Sequence, residues 1–154
     1  MTSANSAPAE PGRSLSPAIL PALFRADMAI VRDSSGTVLL LEDEASLREP
    51  LAHLLRLRRY NVIEVDTVDA ALAAIRTERP DAAIVDLHVK DQSGRDVIVR
   101  MPSRAPVIIF SGMGAASGDL ARIRPRTRLV EKPASLTWVI DSLDEMLQRT
   151  REFA

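Results

Sequence analysis

From Thr37 onward the alternation of apolar and polar positions is regular. Residues 38–41 are a continuous apolar run, as expected of a parallel strand covered on both faces. Leu47, Leu51, Leu54 and Leu55 then recur at helical spacing. Pro50 falls inside that helix, where its missing N–H and its ring predict a kink. Residues 61–65 read as a second strand. Asp66 or Thr67 caps a second helix, which carries Ala71, Leu72 and Ile75 and stops at Pro80. A third strand over 82–85 runs straight into Asp86. A short helix over 94–101 follows, then a fourth strand over 107–110 opened by Pro106. Residues 111–117 read as loop. A fourth helix over 118–123 is stunted, because Pro125 cuts it short. A fifth strand spans 127–130. The last helix, 135–148, sets Leu136, Val139, Ile140, Leu143 and Leu147 on one face.

Five strands alternating with helices predict an α/β fold, a doubly wound five-stranded parallel sheet with helices on both faces and a degenerate fourth helix. Crossovers in such a sheet are right-handed, and its ligands bind outside the carboxyl ends of the strands. The residues that follow each strand therefore matter most. The first strand ends in Glu42-Asp43-Glu44, the third in Asp86, the fourth in Ser111 and the fifth in Lys132-Pro133. Carboxylates, a hydroxyl and a lysine collect on one rim.

That set suits phosphoryl transfer. Two or three carboxylates suit Mg²⁺, a hard cation that keeps some of its water. An Asp carboxylate is a competent nucleophile toward phosphorus. Lysine brings a compact positive charge and serine a hydroxyl donor to the transferred oxygens. Such catalysis is positioning plus electrostatics. A solvated acidic turn at 42–44 and a simple helix cap at Asp86 are the bland readings, and the ordered recurrence of all four motifs weighs against them. Glu44 reads as first-turn charge near a helix N-terminus.

In order and spacing, the blocks 38–44, 84–94, 109–112 and 131–133 resemble the signature blocks of response-regulator receiver domains, over residues 37–148. The resemblance implies the flavodoxin-like, receiver-type version of this fold. It implies Asp86 as phospho-acceptor, Asp43 as a direct Mg²⁺ ligand, Glu42 as a ligand directly or through water, and His88 as a backbone-carbonyl ligand. Ser111 and Lys132 would engage the phosphoryl group, with a cis Lys132–Pro133 bond. The implied function is a single-domain response regulator. It would be phosphorylated by a sensor histidine kinase or a histidine phosphotransfer protein, would dephosphorylate itself, and would signal by contact with a downstream protein not identified by the sequence. No external metabolite substrate is expected, so it is not an enzyme in that sense. A pseudo-receiver that works without phosphorylation is the alternative. A small phosphatase or nucleotide-binding enzyme is a third reading, against which the phosphate-cradling glycine loops are absent from the sequence.

Three positions depart from the family pattern. The acid pair is Glu42-Asp43 rather than two aspartates. Lys90 stands where many relatives have proline. Leu129 replaces the aromatic usual three residues before the lysine. Residues 110–114 are faintly similar to the Phe-Ala-Thr-Gly motif of an atypical single-domain group, which would make loop ordering, not ring rotation, the switch.

Composition narrows the rest. Of 154 residues 46% are hydrophobic but only 3% aromatic, so the core is aliphatic. A net charge of −1 gives no push toward nucleic acid, and no helix-turn-helix fits after Pro133. No partner of that kind is expected, and a monomer or weak dimer is. The absence of cysteine excludes disulfides. No run is long enough to span a bilayer, so no membrane insertion and a cytoplasmic location are expected. Residues 1–35, rich in Ala, Pro and Ser, read as a flexible tail before a domain at 36–150. Arg122, Arg124, Arg126 and Arg128 read as a solvated face. His53 reads as a surface residue, and Trp138 as core or edge packing.

Overall fold

The computed structural model describes residues 34–112 and 118–154. All but the end of the expected tail lies outside them, as do Met113 and Gly114. The elements are β1 (Thr37–Leu41), α1 (Ala45–Leu57), β2 (Asn61–Val65), α2 (Val68–Glu78), β3 (Ala82–Val85), β4 (His88–Val89), β5 (Gln92–Ser93), α3 (Arg95–Arg100), β6 (Val107–Ser111), α4 (Gly118–Ile123), β7 (Thr127–Glu131) and α5 (Leu136–Glu152). The main sheet is parallel in the order β2-β1-β3-β6-β7. The short β4–β5 hairpin, not foreseen in the sequence, forms a sheet of its own.

The apolar runs are explained by burial on both faces. Leu39, Leu41, Ala83, Val85, Val107 and Ile109 pack with residues of α2, α3 and α4. Val38, Leu40, Ala82, Ile84, Ile108 and Phe110 point the other way and pack with α1 and α5. Chain order reverses direction across the sheet between β1 and β3. A crevice opens at such a switch point, and it is there that Glu42, Asp43 and Asp86 emerge.

Local capping follows the sequence. Thr67, not Asp66, caps α2, accepting the Ala70 N–H at 3.2 Å. Ser135 caps α5 in the same way. Helix α5 runs on to Glu152, beyond the expected end at 148, through an Arg149–Glu145 ion pair one turn apart. Pro50 does not interrupt α1. It and Ser46, whose carbonyl it leaves without a helical donor, are both exposed, so water is able to take the missing bond.

Two expectations are corrected. Trp138 is not packed away, being 51% exposed, because the buried stripe of α5 runs through Val139, Ile140, Leu143 and Leu147. Arg124 is not on a solvated face. It is buried, and its guanidinium donates to the carbonyls of Pro102 (2.5 Å) and Ala105 (2.7 Å). It thereby ties the exit of α4 to the α3–β6 loop. Arg122 and Arg126 are exposed, and Arg128 pairs with Glu145.

Candidate metal centre

The site is assembled by strand ends locked to one another. The Asp86 N–H bonds the Leu41 carbonyl at 2.9 Å, and the Glu42 N–H bonds the Val65 carbonyl at 3.2 Å. Glu42, Asp43 and Asp86 consequently each offer an oxygen within 4.8 Å of the others. Glu42 and Asp86 are buried and Asp43 is half-buried. At the far side of β6, the Lys132 N–H bonds the Ser111 carbonyl at 3.0 Å. The Lys132 ammonium then reaches back over the Phe110 ring, 5.2 Å from its centroid. It lies 2.6 Å from Asp86 Oδ2 and 2.7 Å from Glu42 Oε2. The Lys132–Pro133 bond is cis, as the resemblance implies.

Burial raises the Glu42 carboxyl above its ordinary value, and the Lys132 bond and charge offset this only in part. Burial alone would lower the Lys132 ammonium, but the hydrogen bonds and charges of Asp86 and Glu42 outweigh it and hold it up. Three carboxylates thus gather where, among the described residues, one ammonium bonds two of them. A compact hard cation relieves the remaining like-charge repulsion, and oxygen donors are what it prefers. The donor set therefore fits Mg²⁺.

Ser111 Oγ is fully buried, and among the described residues it has no hydrogen-bond partner. Such a group costs free energy and is a donor in waiting beside the carboxylates' rim. His88 brings its backbone N–H to Asp86 Oδ1 at 3.0 Å, while its side chain is exposed. Glu42, Asp43, Asp86, His88, Ser111 and Lys132, the site residues expected from the sequence, all stand at or just beyond strand ends on this side of the sheet. Leu129 lies half-buried against the α2–α4 side of the sheet.

Three contributors were missed. Arg48, on the first turn of α1, donates to the carbonyls of Glu42 (2.9 Å) and Asp43 (3.3 Å). The Lys90 N–H donates to Asp43 Oδ2 at 2.8 Å. Gly94 packs so close that an added Cβ would collide with the Asp86 carbonyl oxygen and lie 2.9 Å from Val85 Cγ1. Only the glycine had a legible signal, as the last residue of the block that begins before Asp86.

Fold and site together define a flavodoxin-like domain of the receiver type. The chain belongs to the response regulator receiver domain family, whose model matches residues 38–134. This is a signalling family, not a family of metabolic enzymes. The sensory transduction protein RegX3 of Mycobacterium tuberculosis is 38% identical over 116 residues, covering 73% of this chain and 51% of that protein. The transcriptional regulatory protein PdtaR of the same species is 28% identical over 131 residues, covering 82% and 62%. A CheY-like response regulator receiver domain protein from Methanospirillum hungatei JF-1 shares the fold with a TM-score of 0.70 at 16% identity, over 77% of this chain and 98% of that one. The chain spans about half the length of the curated relatives it matches. Among the described residues no helix is long and apolar enough to cross a membrane.

Proposed function

We propose that the domain, at residues 36–150, takes a phosphoryl group onto Asp86 from the phosphohistidine of a histidine kinase or histidine phosphotransfer protein. The carboxylate oxygen of Asp86 forms the new P–O bond as the P–N bond breaks, and the leaving imidazole takes up a proton. Mg²⁺, held by Glu42, Asp43, Asp86 and the His88 carbonyl, would supply charge neutralisation for the phosphoryl oxygens. Lys132 aligns the Asp86 carboxylate before transfer, and afterwards its ammonium pairs with a phosphoryl oxygen. Ser111 donates its idle hydroxyl to another. The acylphosphate is then read out by protein–protein contact with a downstream partner, through a shift between two states of the domain.

The observation that carries this reading is the bridge from Lys132 to both Asp86 and Glu42 beside a third carboxylate. Incubation with acetyl phosphate and Mg²⁺, followed by intact-mass measurement, tests it. The expected result is the gain of one phosphoryl group that EDTA prevents and Asp86→Asn abolishes. No gain in the parent protein, or an undiminished gain in Asp86→Asn, overturns it.

A further inference from the structure

Lys90 sits at the tip of the β4–β5 hairpin with a φ of 52°. Side chains other than Asn and Asp seldom take that left-handed conformation, and it persists where surrounding contacts hold it. Two contacts do so. Its ammonium meets Asp66 Oδ2 at 3.3 Å, an exposed pair of little energetic weight. Its backbone N–H donates to Asp43 Oδ2 at 2.8 Å. The second contact ends on one of the three carboxylates of the site.

Asp43 is the member of that set least fixed by packing. It is half-buried, while Glu42 and Asp86 are buried and both are gripped by Lys132. Arg48 holds the Asp43 main chain. Among the described residues only the Lys90 amide bonds its carboxylate.

We infer that the Lys90 amide is the donor that orients Asp43, so that the turn at residue 90 sets the affinity of the acidic site for a divalent cation. The inference rests on the reading of that site as metal-binding. A charge-assisted bond to Oδ2 selects the Asp43 rotamer in advance and leaves Oδ1 for the cation. Less side-chain freedom is then lost on binding. Proline at this place would have no N–H and could not take a positive φ. In this chain the hairpin tip is a donor instead. Lys90 is a positioning residue: its effect reaches the cation only through Asp43. The competing account is that a left-handed residue merely closes a short hairpin.

Mn²⁺ titration of the full chain, followed by electron paramagnetic resonance, separates the two accounts. Lys90→Pro should weaken Mn²⁺ binding roughly tenfold, the usual cost of losing a group that orients a metal ligand. Lys90→Gly keeps the N–H and admits the turn, and should rescue affinity to within about twofold. Lys90→Met loses only the Asp66 pair and should stay within about twofold. Acetyl phosphate labelling of Lys90→Pro should show a raised KM for Mg²⁺ and recover at saturating Mg²⁺, which general structural damage would not allow. If Lys90→Pro fails to melt cooperatively, an amide-to-ester replacement at residue 90 removes the donor alone and should give the same loss. Parent-like affinity in the proline or ester variant overturns the inference, as does an equal loss in Lys90→Gly. A parent protein that binds no Mn²⁺ overturns the reading of the site itself.

Discussion

The Lys132 ammonium lies 2.6 Å from Asp86 Oδ2, although the two residues leave β7 and β3 and the end of β6 stands between them. The lysine spans that gap over Phe110 and past Ser111. In the proposed reaction, the cation that would meet an incoming phosphoryl group is thus already seated on the carboxylate that would receive it.

Lys132→Met should therefore slow acetyl phosphate labelling of Asp86 by roughly ten- to a hundredfold, the range for loss of a hydrogen bond to a charged group. Stopped-flow or timed intact-mass measurement at saturating Mg²⁺ checks it. A labelling rate equal to the parent's would remove Lys132 from the chemistry.

Ser111→Ala should separate stability from activity. The parent buries a hydroxyl with no partner among the described residues, so urea denaturation of the variant should show stability unchanged or higher by up to about 1 kcal/mol. Labelling at Asp86 should nevertheless slow severalfold. A loss of stability would mean that the hydroxyl has a partner in the resting state.

Gly94→Ala should damage fold and site together. The new methyl meets the Asp86 carbonyl oxygen and Val85 Cγ1, buried groups at the end of β3 that cannot retreat cheaply. Overpacking of this kind costs about 1–3 kcal/mol or more. Urea melts should show that loss, and Mn²⁺ titration should show weaker binding because Asp86 itself is displaced.

Tyr60 supplies a pH-dependent prediction remote from the site. Its hydroxyl donates to Asp144 Oδ1, which Arg58 also flanks through Oδ2. Burial first, and then Asp144, push the phenol well above the ordinary tyrosine range. A group raised on folding stabilises the native state fully below its unfolded value. That stability is lost as pH rises from about 10 toward the folded value, at up to about 1.4 kcal/mol per pH unit. Tyr60→Phe should be less stable at pH 8 and should lack this part of the alkaline decline. Urea denaturation between pH 8 and 11 measures both, and parallel curves for the two proteins would refute the assignment.

Much of the site was legible because of where it lies. Three apolar runs of the sheet end directly on a residue of the candidate site, Leu41 before Glu42, Val85 before Asp86, Phe110 before Ser111. An error of a residue or two in a strand boundary moves none of them off the rim. Burial on both faces of the sheet makes those runs continuous, so the periodicity was readable too. The reading failed where a residue's partner is far away in sequence. Arg124 looked like one of four alternating surface arginines, and only the carbonyls of Pro102 and Ala105 draw it inside. Trp138 looked like packing, and it is left outside because α5 docks through Val139, Ile140, Leu143 and Leu147.

The sequence by itself determined the order of elements, the layered sheet and the identity of the rim residues, because hydrophobic period and strand-end chemistry are local properties of the chain. The tertiary structure alone decided the distances that matter. It brought Lys132 to Glu42 and Asp86, turned the Lys90 amide toward Asp43 and left the Ser111 hydroxyl without a partner among the described residues. Those outcomes depend on how strands distant in sequence are ordered side by side and on the turn between β4 and β5, and no local pattern encodes either.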